Sequence, residues 1–401
     1  MAAAARRHCM VVDNVYPDPR VEREANALLE RGYWVDVVCL LSPGLPRRER
    51  IGRLTIHRLP IKRRRGASAL TQLWEYLAFA AWATALVAVR HLRTPYDVVQ
   101  VHNVPDFLVF SAVVPKLAGA GVILDLHDLM PEFFASRFGR DLSSRLGRAV
   151  LFQERLSTAF ADEVITVTDL WRSRLIRRGV PAEKVHVVMN LPDPHEYPMR
   201  EPVVRRTDGP LTVVYHGTLT RRYGIDVLLM AFALARPRVP LRLLIHGRGE
   251  YRDEAMQLGE QLGLGDTVRW STGHLSTTAL ASLISHGDIG VVPNRNDVFT
   301  DEILPTKLME YAALGIPTIA SRSTAVESYF TDEMVRFVEP GDAEAMAEAL
   351  VELATDPDRR ATLATNAQRF SRQFQWADQA AAYEALVHRL GGEKPATMET
   401  A

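Results

Sequence analysis

Cysteine is nearly absent from the chain, and so is any excess of charge of one sign. The only cysteines are Cys9 and Cys39, both in apolar stretches that are typical of strands. Two such thiols form neither a disulfide framework nor a metal site, and this usage is typical of a reducing, cytoplasmic compartment. Lysine plus arginine and aspartate plus glutamate number 48 each, so nothing in the overall charge indicates a nucleic-acid partner. The leader "MAAAARRHCM" lacks an apolar core, and we therefore expect no secretory signal.

The length of 401 residues favours two domains over one. Apolar strand-like runs alternate with helical patterns along the whole chain, which predicts an α/β fold of two doubly wound, Rossmann-like parallel sheets wrapped by helices. The runs are "HCMVVDN", "WVDVVCL", "YDVVQVH", "GVILDLHD", "EVITVT", "LTVVYHG", "LRLLIHG", "TVRWSTG", "DIGVVPN" and "PTIAS".

The stretch "LPDPHEYPMREPVVRRTDGP" breaks both periodicities with five prolines and mixed charge. It predicts an interdomain linker. We expect a first domain over 1–195, a linker over 196–210 and a second domain over 211–372. A helix over 373–392 is predicted to pack back on the body, before a disordered tail over 393–401.

An apolar, helix-favouring segment over 67–89 has basic flanks, "KRRRG" before it and "RHLR" after it. It is consistent with a buried helix on the first sheet, and its length comes near to spanning a bilayer. Its aromatic residues and basic flanks also suit the headgroup region of a membrane, where the helix would lie in the interface. The aromatic residues are Trp74, Tyr76, Phe79 and Trp82.

The stretch "TDEILPTKLMEYAALGIP" carries the clearest chemistry. Pro305 suits the start of a helix and Gly315 suits the position after its last turn, so we predict a helix from Pro305 to about Leu314. Glu302 then precedes the helix and Glu310 lies inside it, too far apart to be adjacent on one face. Helix N-terminal amides between two acids, with a nearby lysine, suit the phosphates, ribose and sugar of a nucleotide sugar.

Other predicted strands of the second half also end in glycine or polar residues. "YHGTLTRRYGID" places Gly217, Arg221 and Arg222 after a strand, and "HGRGE" places Gly247 and Gly249 after the next. "STGHLS" and "VVPNRND" follow two more strands. Strand ends in one parallel sheet line a single crevice, where open α/β sheets bind ligands.

These motifs resemble glycosyltransferase family 4, the retaining enzymes of GT-B architecture. The resemblance rests on Glu302 and Glu310 with the following "YAALGIPTIAS", on "YHGTL…GID", on "HGRGE" and on "EVITVTDLWRSRLIRRGVPAEKVHVVMN". It implies two domains facing a central cleft, with Glu310 on the ribose hydroxyls, Glu302 on the sugar ring and amides between them on the diphosphate. No metal or other cofactor is implied. We predict donor and nucleotide binding by Gly217, Thr218, Arg221, Arg222, Gly247, Arg248, His274, Leu304, Thr306, Lys307 and Glu310.

The chain departs from the family pattern at two positions. Many relatives carry basic residues where this chain has Thr218 and Tyr223, so Arg221, Arg222 and Lys307 are the cations available for the diphosphate. The glycine-rich turn after the first strand is replaced by "DNVYPDPRVERE", which we expect to shape the acceptor side.

Two histidines end strands in the first half. For His102 we predict a hydrogen-bonded structural role, whereas His127 matches the family's histidine near the reacting sugar and is a predicted catalytic residue together with Glu302. Asp125 and Asp128 flank His127 and could fix its tautomer or orient an acceptor hydroxyl. Asp18 and Arg20 at the start of the first helix are either acceptor contacts or part of a solvated face.

The resemblance implies transfer of a sugar from a UDP- or GDP-sugar to a sugar or lipid-linked acceptor, in cell-surface polysaccharide or glycolipid assembly. An anionic membrane surface is a further expected partner, and the protein would then be peripheral at the inner face of the cell membrane. We expect no nucleic-acid partner. Two alternatives stay open. One is another GT-B enzyme acting on the same donor, an epimerase or phosphorylase, and the other is a non-catalytic partner subunit.

Overall fold

The computed structural model describes residues 6–61, 63, 69–139, 141–202, 209–273 and 275–392. The chain forms two compact units. The first comprises residues up to Asn190 together with those from Ala377 onward, and the second is Leu191–Trp376. Each unit contains one sheet, which confirms the predicted class of two doubly wound α/β domains.

The sheet of the first unit has eight strands in the order β3-β4-β2-β1-β5-β6-β7-β8. Every pairing is parallel except that of β3 with β4, so the predicted all-parallel sheet is wrong at this edge. The strands are β1 (Arg7–Val15), β2 (Trp34–Leu40), β3 (Arg48–Ile51), β4 (Leu54–Leu59), β5 (Val98–His102), β6 (Gly121–Leu126), β7 (Glu163–Thr166) and β8 (Val185–Val187).

Helices cover both faces of this sheet because right-handed crossovers that run in opposite directions along a parallel sheet lie on opposite faces. The connections from β1 to β2 and from β2 to β3 run one way along the strand order, and the connections from β4 onward run the other way. The helices are α1 (Pro19–Glu30), α2 (Ala69–Arg93), α3 (Val113–Leu117), α4 (Met130–Phe138), α5 (Arg145–Phe160) and α6 (Asp169–Arg177), with 3-10 helices over Asp106–Ala112 and Ala182–Lys184.

The sheet of the second unit has six parallel strands in the order β11-β10-β9-β12-β13-β14. The chain winds outward in both directions from β9 and β12, so the sheet has its topological switch point between them. The strands are β9 (Leu211–His216), β10 (Leu241–His246), β11 (Val268–Ser271), β12 (Ile289–Val292), β13 (Thr318–Ser321) and β14 (Arg336–Val338). The helices are α7 (Ile225–Ala235), α8 (Arg252–Gln261), α9 (Thr277–Ile284), α10 (Thr306–Ala313), α11 (Thr324–Tyr329), α12 (Ala343–Thr355) and α13 (Pro357–Gln373).

The last helix, α14 (Trp376–Leu390), packs on the first unit. The Tyr383 hydroxyl donates to Oε1 of Gln100 over 2.6 Å, and Leu390 fills the space over Gly121, where a Cβ would collide with it. Tyr383, Gln100 and Gly121 are buried, so α14 contributes to the core of the first unit.

Candidate functional site

The loops that follow β9 and β10 interlock through their backbones. The Gly217 amide donates to the His246 carbonyl over 3.0 Å, and the Leu219 amide donates to the Arg248 carbonyl over 2.8 Å. A Cβ on Gly247 or Gly249 would collide with the backbone of the facing loop. Packing of the two loops therefore explains why glycine is found at both positions. Contact of Gly247 and Arg248 with a nucleotide stays a prediction.

The helix α10 begins at Thr306 and ends at Ala313, which confirms the helix predicted from Pro305 and Gly315. Pro305 at its N-terminus provides no side-chain cap, and the first amides of a helix have no intrahelical acceptor. Gly315 has φ 68°, the left-handed conformation that glycine adopts after a last turn. An uncapped helix N-terminus at the carboxyl edge of the sheet is suited to an anion.

Lys307, in the first turn of α10, is only 8% exposed. Its Nζ donates to the Tyr215 hydroxyl over 3.2 Å, and it lies 4.3 Å from the Tyr215 ring centroid and 5.1 Å from that of Tyr223. Burial lowers the pKa of Lys307 to about 8, although Glu310 opposes the shift. Within the described part of the chain, no carboxylate forms an ion pair with this ammonium.

Gly217 lies directly against this ammonium. Its φ is 124°, and a Cβ built there would lie 3.4 Å from Cε and 3.5 Å from Nζ of Lys307. The glycine thus lets the loop after β9 approach the lysine closely, in a backbone conformation that other residues rarely adopt.

Glu310 forms a short chain of contacts with β9. Its Oε2 lies 2.5 Å from Nε2 of His216, and Nδ1 of the same ring lies 3.0 Å from the Tyr311 hydroxyl. Because that hydroxyl donates to the Val214 carbonyl, the His216 Nδ1–H is the donor to Tyr311, and Nε2 of the same ring faces the Glu310 carboxylate. His216 was not among the predicted site residues, although its place at a strand end was a signal.

Glu302 ends a 3-10 helix over Thr300–Glu302 that precedes α10. It is half-buried, whereas Leu304 is buried and Thr306 is exposed. Asp297 shapes the loop before it, since its Oδ1 accepts from the Phe299 and Thr300 amides. Glu302 and Glu310 therefore lie on different elements, as predicted.

The two arginines predicted to bind phosphate are less buried than Lys307. Arg221 has a side chain that is 69% exposed, 3.8 Å from Glu254, and Arg222 lies over the Phe299 ring at 5.8 Å. Thr218 is exposed as well. Among the candidate cations Lys307 is the buried one, and His274 lies outside the described residues.

In the first unit, the predicted pair Asp18 and Arg20 contacts other residues of the same unit. Asp18 caps α1, since its Oδ1 accepts from the amides of Arg20 and Val21. Arg20 is buried and donates to both oxygens of Asp125 over 2.8 and 2.9 Å. The solvated-face alternative is therefore wrong for Arg20, and its acceptor role stays a prediction.

Asp125 is the centre of this buried ion-pair network. His102 Nδ1 lies 2.9 Å from its Oδ2, which agrees with the structural role predicted for His102. Burial alone would raise the pKa of Asp125, but Arg20 and His102 hold it well below its ordinary value. The same carboxylate keeps the pKa of His102 raised despite burial.

His127 and Asp128 follow β6 on a turn held by Asn103. The Asn103 Oδ1 accepts from their backbone amides over 3.1 and 3.3 Å, and its Nδ2 donates to Oδ1 of Asp106 over 2.8 Å. Burial lowers the pKa of His127 to about 4, so the ring is neutral at neutral pH. Asn103, which directly follows the predicted strand end at His102, was not among the predicted site residues.

Two family models match the chain. Residues 200–370 match the model described as glycosyl transferases group 1, and residues 17–190 match the one described as glycosyl transferase 4-like domain. The putative colanic acid biosynthesis glycosyltransferase WcaL of Escherichia coli is 28% identical over 192 residues, or 47% of each chain. The chain spans about half the length of this relative and of the similar glycosyltransferases involved in colanic acid and amylovoran biosynthesis.

Solved structures match nearly the whole chain. Sucrose-phosphate synthase from Thermosynechococcus elongatus has a TM-score of 0.74 at 22% identity, covering 96% of this chain and 99% of that one. HepE from Anabaena in complex with UDP and glucose has a TM-score of 0.69 at 17% identity, covering 95% and 99%. At these identities the likeness concerns the fold, and with the two family matches it means that the chain belongs to the group 1, family 4-like glycosyltransferases of GT-B architecture.

Proposed function

We propose that this protein transfers a sugar from a nucleoside diphosphate sugar, UDP- or GDP-linked, to an acceptor hydroxyl with the anomeric configuration retained. The observation that carries the proposal is the buried ammonium of Lys307. A buried charge is costly unless it is paired. Among the described residues, Lys307 contacts a hydroxyl and aromatic rings, and the nearby Glu310 carboxylate raises its pKa without forming an ion pair with it. A diphosphate at the N-terminus of α10 would supply the missing counter-charge.

The same position suits the chemistry of the leaving group. When the bond from the anomeric carbon to phosphate oxygen breaks, negative charge grows on the diphosphate. Lys307 and the uncapped first amides of α10 are fixed in place before the reaction, so they stabilise that charge without reorganising. Glu310 would accept from ribose hydroxyls and Glu302 would contact the sugar.

His127 contributes through a neutral ring. With a pKa of about 4 it stays uncharged at neutral pH, so it can exchange hydrogen bonds with a sugar hydroxyl and carries no charge of its own. The named relatives support an acceptor in cell-surface polysaccharide or glycolipid assembly. One is the colanic acid protein already described, and another is a GDP-mannose-dependent monoacylated alpha-(1-6)-phosphatidylinositol monomannoside mannosyltransferase of Corynebacterium glutamicum, 28% identical over 187 residues.

Product analysis tests the proposal. A panel of UDP- and GDP-sugars is incubated with soluble and lipid-linked acceptors, products are identified by mass spectrometry, and the anomeric configuration is assigned by NMR. We expect one donor to yield a product of retained configuration, and Lys307→Met to abolish its formation. Interconversion of donors without acceptor would favour an epimerase, inversion would contradict the mechanism, and failure of every donor to bind would contradict the site.

A further inference from the structure

The helix α2 has an uncommonly apolar outward face. Phe79, Ala83, Val87 and His91 recur every four residues and are buried against the body of the first unit. The opposite side is exposed, with Trp74 at 71% and Trp82 at 59%. Its exposed members before Arg93 are all apolar, namely Leu73, Trp74, Leu77, Ala78, Ala81, Trp82, Ala85, Val89 and Leu92.

The helices α2, α3 and α5 and the 3-10 helix over Asp106–Ala112 lie on the same face of the eight-stranded sheet. Their crossovers all run in one direction along the strand order, and right-handed connections of one direction share a face. The 3-10 helix packs between α2 and α5 and touches both. The outward sides of these four helices therefore form one surface, which we call the outer face.

The outer face carries charge of one sign. Its exposed charged residues are Arg93 on α2 and Arg145, Arg148 and Arg155 on α5. The acidic residues of the same helices are not exposed on this surface. Asp106 and Glu154 are buried, and Glu75 lies 3.7 Å from Arg63. Exposed apolar side chains extend the tryptophan stripe across this surface, namely Phe110, Leu117, Leu146, Phe152 and Leu156.

We propose that the outer face binds the surface of a bilayer that contains anionic lipid. Tryptophans beside arginines match the headgroup region, where indole rings partition and cations meet lipid phosphate. By length and composition Thr71–Arg93 could also cross a membrane, but crossing would strip Phe79, which is fully buried, from its core. Binding in the plane keeps that core intact.

A second copy of the chain is a poorer occupant. A two-fold contact places the same patch on itself, and here it would bring arginines towards arginines with no exposed acid on these helices. Like charges brought together across an interface are costly. The charge of the outer face is complementary to anionic lipid instead.

Of the basic flanks predicted from the sequence, Arg93 is exposed on the outer face, whereas others are paired inside the first unit. Arg63 pairs with Asp13 and Glu75, Arg90 pairs with the buried Asp36 at 3.2 Å, and Lys62, Arg64 and Arg65 lie outside the described residues. Arg63 and Arg90 are therefore committed to internal pairs. Apart from Arg93, the exposed positive charge of the described residues on this face lies on α5, which was not predicted from the sequence.

Vesicle sedimentation of the full chain tests the proposal, with phosphatidylcholine alone or mixed with phosphatidylglycerol. No donor or acceptor is present, so the result is independent of the proposed glycosyl transfer. We expect binding to the mixed vesicles that weakens with salt. Neutralising Arg145, Arg148 and Arg155 to glutamine should lower the partition coefficient roughly a hundredfold, at about fivefold for each arginine.

A second variant tests the apolar part. Trp74→Ser with Trp82→Ser should lower binding to both vesicle types, and because both side chains are exposed the fold should remain intact by circular dichroism. The matched control changes exposed residues of the second unit, Leu234→Ser with Arg269→Gln, and should leave binding unchanged. Equal binding of wild type and the arginine variant, or concentration-dependent dimers in place of lipid binding, would overturn the proposal.

Discussion

Oε2 of Glu310 lies 2.5 Å from Nε2 of His216, a residue 94 positions earlier in the chain. The contact joins the first strand of the second sheet to the helix that carries Lys307. It also orients the carboxylate, because the histidine ring is held on its other side by Tyr311. A ligand hydroxyl at Glu310 therefore meets an acceptor whose position is already set.

Replacing Glu310 with alanine should weaken binding of the bare nucleoside diphosphate. Loss of a charged acceptor for ribose hydroxyls costs roughly 1.5–3 kcal/mol, which isothermal titration calorimetry resolves as about a tenfold to hundredfold loss of affinity. Glu348→Ala, which removes an exposed carboxylate paired with Arg238, is the matched control. Unchanged affinity in a folded Glu310→Ala protein would remove Glu310 from the site.

The affinity for nucleoside diphosphate should fall as pH rises above about 8. Lys307 loses its proton in this range when no anion is bound, whereas a bound diphosphate raises its pKa. Binding is therefore strongest below pH 8 and declines above it, by at most about tenfold per pH unit. The second ionisation of a phosphate group lies near pH 6, outside this window.

The variant Lys307→Met distinguishes the titration of Lys307 from that of other groups. The variant should bind nucleoside diphosphate weakly and with no decline between pH 7.5 and 9.5, in the pH range set by the pKa of about 8. Free nucleoside should bind both proteins alike. A pH profile that survives in Lys307→Met would assign the titration to another group.

Replacing Arg221 and Arg222 together with glutamine should weaken binding of the diphosphate more than that of the nucleoside, since bonds of arginine to phosphate depend on the anion. The effect should be smaller than that of Lys307→Met and should shrink at high salt, because Arg221 is exposed and screened. Titrations of both ligands at low and high salt measure it. If nucleoside and diphosphate lose affinity equally, the arginines have a structural role.

Most of the fold could be predicted from the sequence, since each apolar run named there contains a strand. Four strands were missed. One of them, β4, is a buried six-residue strand whose sequence "LTIHRL" has polar residues within it, and the other three are short or exposed. The strand β3, with sequence "RERI", is an exposed edge without alternation, and β8 and β14 have three residues each. Such strands are stabilised by pairing with their neighbours, which a single sequence does not show.

The candidate site was predictable only as far as local pattern reaches. The helix that follows Glu302 could be predicted from Pro305 and Gly315. The burial of Lys307 and its contact with Tyr215, 92 positions away, depend on how distant segments pack. Arg20 likewise meets Asp125 across 105 positions, and no local pattern distinguished that buried pair from a solvated one.

Replacing Glu302 with alanine should lower donor turnover while leaving nucleoside diphosphate affinity close to that of wild type. Glu302 lies outside α10 and its proposed partner is the sugar, which the bare diphosphate lacks. Turnover is measured with the donor identified by product analysis, and affinity by calorimetry. Equal losses with donor and diphosphate would contradict the assignment to the sugar.

The stability of the first unit should fall as pH rises towards 7, through Asp106. Burial raises the pKa of this carboxyl to about 7; Asn103 and Arg178 oppose the increase, and Glu132 adds to it. An aspartate in the unfolded chain ionises near pH 4. Between these values the folded state holds a proton that the unfolded chain has released, so stability decreases with rising pH.

Asp106→Asn should remove this contribution, because the amide stays neutral and its oxygen can still accept from Asn103. Urea denaturation across pH 5 to 8 measures the free energy of unfolding of both proteins. The value for the variant should increase relative to that of wild type as pH rises, by a few kcal/mol at most. The neighbouring Glu154, whose pKa burial raises to about 8, is present in both proteins and largely cancels in the difference. Parallel stability curves for the two proteins would mean that Asp106 ionises in the folded state as it does in the unfolded chain.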